Sequence, residues 1–239
     1  MSGNIAVVVG ASGGLGRALA GGLTRDPAFG RVFALSRRQP DGWPDRDWIG
    51  ADILDETTLA RAAAHLKEVG TVTRIVVATG QLHGSGLTPE KSMRAITLES
   101  LATAFAVNAA GPALVAKHLL PLTPKDRANL FAALSARVGS IGDNNLGGWY
   151  GYRASKAALN MLVRTLAIEH RRTRPMGICV ALHPGTVDTG LSAPFQSGVP
   201  DGKLFTPSRA ANALLTVMNG LGPDANGGFY AWDGSPIPW

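Results

Sequence analysis

A single cysteine among 239 residues excludes an internal disulfide. Cys179 lies in the apolar run 178–182 and reads as an inert buried thiol, which fits a reducing cytoplasm. No apolar stretch approaches the roughly 20 residues that span a bilayer, so no membrane segment is expected. The N-terminus passes straight into the apolar run 5–9 without a basic flank or cleavage site, so no secretory leader is expected either. The five histidines show no ligand spacing, and no metal is expected. Charge is sparse at 17%, and the net +6 is scattered along the chain. The densest cluster, at 170–174, follows a helical pattern, where cations favour the C-terminal end, so binding of nucleic acid is not expected. An anionic ligand would account for some of the basicity.

What the chain does have is apolar residues, 45% of the total, enough for a large core. Short β-rich runs fall at 5–9, 31–35, 48–50, 74–78, 129–134, 177–182 and 229–232. Most are continuously apolar, as strands buried on both faces are. Helical patterns lie between them, near 14–25, 55–68, 98–120, 149–171 and 207–220. Strand–helix alternation predicts an α/β fold: a doubly wound parallel sheet of about seven strands, with helices on both faces. The whole chain, 1–239, reads as one domain. Two long irregular stretches interrupt the pattern, 80–96 and 189–206, and the second reads as a substrate lid. It ends at Thr206-Pro207, an N-cap followed by proline at the first helical position.

The first strand ends at Gly10, and Gly13, Gly14 and Gly16 follow before a helix begins. Glycines at such a turn let the backbone approach a pyrophosphate at the positive end of the helix, with Ser12 and Leu15 in the same cradle. The spacing differs from the dinucleotide fingerprint G-x-G-x-x-G. About 20 residues on, where an acidic residue would hold the ribose 2′-hydroxyl of NAD, the chain reads Ser36-Arg37-Arg38. A hydroxyl and two guanidiniums suit a 2′-phosphate, so NADP(H) is expected over NAD(H). Asp52-Ile53 follows the third strand; the aspartate is placed either to accept the adenine amino group or to cap the next helix.

Tyr152 and Lys156 stand four apart in a helical stretch, one turn apart on one face. A tyrosine is a poor acid near neutral pH, with an ordinary pKa near ~10. A neighbouring ammonium, and the positive ring of an oxidised nicotinamide, would lower that value. Tyr152 would then give a proton to a carbonyl oxygen as hydride arrives at carbon, and take it back in reverse. Tyr150 has no lysine at the matching positions. Asn108 stands four residues before Pro112, whose missing N–H leaves the Asn108 carbonyl without its helical donor and free to hold a water.

Taken together, Gly10, Gly14, Gly16, Asp52, Asn108, Tyr152, Lys156 and the run Pro184-Gly185-Thr186-Val187-Asp188-Thr189 resemble the short-chain dehydrogenase/reductase family over nearly the whole chain. The segment LSARVGSIGDNNLGGWYGYRASKAALN and the ending FYAWDGSPIPW resemble its C-factor and Sniffer-like carbonyl reductase branch. The resemblance implies a Rossmann fold and a small carbonyl substrate. It implies Tyr152 as acid–base, Lys156 on the nicotinamide ribose and Asn108 in a water relay. It also implies nicotinamide and phosphate contacts from Pro184, Gly185, Val187 and Thr189, and a homodimer or homotetramer built through the helices near 98–120 and 149–171. The family serine that polarises the carbonyl precedes a glycine by three residues, and Ala136 occupies that place here. Ser135, one residue earlier, is the candidate in its stead, with Ser140 second. This departure keeps open a catalytically weak, NADP-binding signalling or regulatory protein as the alternative.

Overall fold

The computed structural model describes residues 3–84 and 86–239; Ser85, within the irregular stretch 80–96, and residues 1 and 2 lie outside the described residues. Seven strands, β1 (Asn4–Val9), β2 (Arg31–Ser36), β3 (Trp48–Gly50), β4 (Thr71–Val77), β5 (Asn129–Leu134), β6 (Gly177–His183) and β9 (Phe229–Ala231), form one sheet in the order β3-β2-β1-β4-β5-β6-β9. Every pairing in it is parallel. A short parallel pair, β7 (Thr186–Val187) with β8 (Leu204–Phe205), closes the base of the 189–206 stretch.

Alternate side chains of each strand feed two cores. Val7, Phe33, Phe131 and Cys179 pack against α2 (Glu56–Val69), α4 (Gly111–Leu119) and α5 (Tyr150–Arg171) through Leu59, Val115 and Leu159. Val8, Ala34, Ala132 and Val180 pack the other way, on α1 (Gly14–Thr24) and α6 (Pro207–Gly220), through Leu19 and Leu214. This is the doubly wound Rossmann arrangement expected from the strand–helix alternation. From β1 the chain builds outward to β3, then crosses back to β4 on the other side. The crevice at the carboxyl ends of β1 and β4 is therefore the topological switch point, where such sheets take ligands.

The helix expected at 98–120 is not continuous. α3 (Leu98–Phe105) gives way to a π turn over Ala106–Ala110 before α4, and the Gly111 N–H reaches back to the Ala106 carbonyl. Pro112 supplies no N–H, and the wide turn is how the ladder accommodates it. Contrary to expectation, the run Leu98–Leu122 is long and apolar enough, by length and composition alone, to cross a membrane. In this fold α3 packs on α5, and α4 packs on α2 and β4, as core helices do.

Candidate active site

The glycine loop forms a cradle. Gly10 has φ +84°, and a Cβ there would stand 2.8 Å from Cγ2 of Thr79. A Cβ on Gly16 would lie 2.3 Å from the Gly10 carbonyl oxygen, so the first turn of α1 is pressed onto the end of β1. The N-cap of α1 is Gly13, with no side-chain cap and no acidic residue in the first turn. Its first N–H groups therefore face the crevice with a positive helix end and no internal anion. Thr189 lies across this turn: its Cγ2 is 3.1 Å from where a Cβ of Gly14 would be.

A cavity of about 400 Å³ runs from Gly10, Ser12 and Gly13 past Leu35, Ser36 and Arg37 to Ala51, Asp52 and Ile53. Among the described residues the guanidiniums of Arg37 and Arg38 have no hydrogen-bond or ion-pair partner; Arg37 lines the cavity, and Arg38, next in sequence, is exposed. Ser36 lines this cavity. Its hydroxyl donates to the Arg38 carbonyl (2.7 Å) and accepts from Nε1 of Trp48 (3.3 Å), so it shapes the arginine turn. Asp52 does not cap α2. Asp55 does, accepting from the Thr57 N–H, while Oδ1 of Asp52 accepts from the Leu54 N–H beside the cavity.

A second cavity of about 460 Å³ shares Gly13, Ala78, Thr79 and Gly80 with the first and continues to Tyr152, Lys156 and Pro184–Thr186. Nζ of Lys156 lies 5.8 Å from the centre of the Tyr152 ring and donates to the Leu134 carbonyl at 2.8 Å. Burial pushes the Tyr152 phenol up to about 12 and pulls the Lys156 ammonium down to about 8. The expected lowering of the phenol by its lysine is thus reversed in the protein itself, because desolvation of both groups outweighs their attraction.

Asn108 is fully buried in the π turn. Oδ1 accepts from the Gln81 N–H (2.8 Å), and Nδ2 donates to the Gln81 carbonyl (2.9 Å) and to Oγ of Ser155 (3.1 Å). Ser155 in turn donates to the Tyr152 carbonyl. Asn108 therefore ties the segment after β4 to the helix that carries Tyr152 and Lys156.

Ser135 borders the cavity, yet its hydroxyl donates to Oδ1 of Asn160 on α5 at 2.6 Å. It reaches a carbonyl in the cavity only by giving up that bond. Ala136 lies on the cavity wall, and the Ser140 hydroxyl accepts from the Asp143 N–H. His183 also borders the cavity; burial pulls it down to about 4, so it is neutral near pH 7.

Over Tyr152 the walls are apolar and aromatic. Trp149 meets the Tyr152 ring edge-on (6.3 Å between centres) and Phe195 of the 189–206 stretch at 5.1 Å. His83 packs on Phe195, and its Nε2 is 2.9 Å from the Gly190 carbonyl, which joins the two irregular stretches. Trp149 is the only non-glycine residue with positive φ (52°) among the described residues. Such strain clusters at functional sites. Motif spacing does not find Trp149, Phe195 or His83, because they meet only after folding. The carbonyl of Val187 already accepts from Ser192 (2.5 Å) and from Thr189 (3.4 Å), which shapes the turn after Pro184-Gly185.

Known proteins resemble this chain in sequence or in fold. C-signal of Myxococcus xanthus is 38% identical over 140 residues, 58% of this chain and 78% of that protein. Carbonyl reductase Sniffer of D. melanogaster superposes with a TM-score of 0.81 at 24% identity, covering 100% of both chains, a likeness of fold. A short-chain dehydrogenase/reductase from Burkholderia multivorans, solved with bound NADP, superposes with a TM-score of 0.80 at 25% identity, again over 100% of both chains. The family description "short chain dehydrogenase" matches residues 4–199, and this chain belongs to that family.

Proposed function

We propose that the chain is an NADP(H)-dependent oxidoreductase that moves hydride to or from a small carbonyl or alcohol, with Tyr152 as its acid–base. One observation carries the reading: Tyr152 and Lys156 lie on a cavity that runs unbroken into the glycine cradle at the uncapped start of α1. The cradle that a Cβ would fill, and the unpartnered Arg37 at the far end of the cavity with the exposed Arg38 next in sequence, fit a dinucleotide with a 2′-phosphate. Gly10, Ser12, Gly14, Leu15 and Gly16 would hold the pyrophosphate, Arg37 and Arg38 the 2′-phosphate, and Asp52 and Ile53 the adenine. Lys156, Pro184, Gly185, Val187 and Thr189 would hold the nicotinamide end. NADPH, when bound, supplies the hydride. Tyr152 gives the proton to the carbonyl oxygen, Lys156 keeps a positive charge beside it, and Asn108 holds the floor of the site through Gln81. The aromatic walls exclude water and favour an apolar substrate. Residues 189–206 act as the lid of a single 1–239 domain. The exposed Leu98, Met161 and Ile168 on α3 and α5 suit assembly of identical chains in the cytoplasm.

The test is NADPH consumption with a panel of aldehydes, ketones and quinones. Turnover that Tyr152→Phe abolishes supports the proposal. A second reading, a weakly catalytic NADP-binding signalling protein, is favoured by Ala136 together with the engagement of Ser135 by Asn160, and by the likeness to C-signal. Tight NADPH binding without turnover on any carbonyl would support it instead.

A further inference from the structure

Helix α5 carries Tyr152 in its first turn, yet it has no cap of its own. The first N–H groups of a helix need acceptors from outside it, usually a Ser, Thr, Asp or Asn side chain at the N-cap. The N-cap here is Trp149, which offers no side-chain acceptor. Glu90, far away in sequence, fills the gap. Its Oε2 accepts from the Gly151 N–H at 3.0 Å, and its main-chain carbonyl accepts from the Trp149 N–H at 2.5 Å. Its Oε1 accepts from Oγ of Ser100 on α3 at 3.0 Å, and Ser100 belongs to the capping box of that helix. Only 4% of Glu90 is exposed. Position 151 must be glycine for the carboxylate to come this close, since a Cβ there would be 2.9 Å from Oε1.

A buried carboxylate is costly unless it is fully bonded, and a neutral cap would serve an ordinary helix. What sets this one apart is the residue next to its partner. Gly151 precedes Tyr152 directly, and Trp149, held in a strained left-handed conformation, forms the cavity wall. Glu90 also lies in the same 80–96 stretch as Gln81, which Asn108 clamps. These two anchor points on one stretch fix the site floor and the acid–base helix relative to one another. We infer that Glu90 is a positioning residue: it holds the first turn of α5, and through Gly151 it sets where the Tyr152 phenol meets the substrate.

This inference rests on the proposed role of Tyr152. Its test uses the full chain and compares wild type, Glu90→Ala, Glu90→Asp and Glu90→Gln, with Glu99→Gln, an exposed carboxylate of α3, as control. Three quantities are measured: thermal melting, NADPH affinity and stoichiometry, and kcat and KM per NADPH-binding site on a carbonyl that the wild type reduces. Gln keeps the reach and an acceptor for Gly151 while its amide donates to Ser100; Asp keeps the charge but falls short. The expected order of kcat is wild type, then Gln, then Asp, then Ala. The alanine variant should fall roughly tenfold to a hundredfold, because displacement of a reacting group by about an ångström costs that much. KM, NADPH affinity and the Glu99→Gln variant should be unchanged. A purely structural Glu90 would lower melting and the number of binding sites but leave kcat per site intact, and that result overturns the inference. So does Asp outperforming Gln. If the alanine variant does not fold, the Gln–Asp order decides alone. Wild-type protein that binds NADPH but reduces nothing refutes the proposed function itself, and the inference with it; an active wild type with indifferent Glu90 variants refutes only the inference.

Discussion

Replacing Ala136 with serine should speed the proposed carbonyl reduction. Ala136 sits on the wall of the Tyr152 cavity in extended conformation (φ −147°, ψ 145°), just before a short turn at Arg137–Gly139. It is partly exposed, so a new hydroxyl is not stranded in the core. The only hydroxyl next to it on the strand end, that of Ser135, is spent on Asn160 at 2.6 Å. A well-placed donor to a developing oxyanion is worth about 2.7–4 kcal/mol, or roughly 10²–10³ in rate. A newly installed serine has no partner to preorganise it, so an effect below that range is expected, about tenfold to a hundredfold in kcat. The assay is NADPH consumption at saturating cofactor, with NADPH affinity measured separately and expected to be unchanged. Ser135→Ala is the companion variant: it leaves Oδ1 of buried Asn160 without its donor and should cost about 1–3 kcal/mol of stability with little loss of kcat. The reasoning is refuted if Ala136→Ser leaves kcat unchanged while Ser135→Ala abolishes turnover, since the buried hydroxyl would then be the polarising group.

Arg37→Ala with Arg38→Ala should weaken NADPH binding by about 1.5–3 kcal/mol for each charged hydrogen bond removed and leave NADH binding unaltered; equal weakening for both cofactors in titration would contradict the 2′-phosphate assignment. Asn108→Ala removes the three hydrogen bonds of a fully buried side chain and should destabilise the fold by several kcal/mol, on the order of 1–3 per unsatisfied group, as read by denaturant unfolding. The buried lysine should show in stability against pH. With its pKa pulled from 10.5 to about 8, folded protein binds fewer protons than unfolded protein between those values, so stability rises with pH across that window. Tyr152, raised from 10.0 to about 12, acts oppositely at higher pH. Lys156→Met should therefore be more stable than wild type at pH 7, and melting curves should show that advantage shrinking as pH climbs from 8 towards 10.5. In carbonyl reduction, the loss of activity near pH 8 should belong to Lys156 rather than Tyr152; Lys156→Arg, which keeps its charge, should lose that limb if it stays active.

The sheet was readable in the sequence because strands buried on both faces are written as unbroken apolar runs, and 5–9, 129–134 and 177–182 could hardly be anything else. The cradle was readable because glycine is demanded by backbone geometry: Gly16 sits where any Cβ would collide with the Gly10 carbonyl. The π turn was half visible. Pro112 signalled a broken ladder, but nothing local says whether a kink or a wide turn results. The destinations of hydroxyls were not visible at all. Ser36 and Ser135 each had the right chemistry at the right place, yet the first donates to the Arg38 carbonyl while accepting from Trp48, and the second donates to Asn160. Glu90 carried no signal, because a carboxylate that caps a helix sixty residues later looks like any surface glutamate until the chain folds.

The same division explains the site's chemistry. Backbone-dictated features, namely the cradle, the switch point and the one-turn spacing of Tyr152 and Lys156, follow the family. Proton energetics depend on what surrounds those groups, and here they depart from the simple expectation. Ordinarily the amine and the phenol release protons at nearly the same pH; burial separates them, with the ammonium near 8 and the phenol near 12. Between those values the phenol still holds its proton while the amine has lost its own. The protein alone therefore presents Tyr152 as a proton donor, the form that carbonyl reduction requires, and makes its use as a base depend on added positive charge in the cavity.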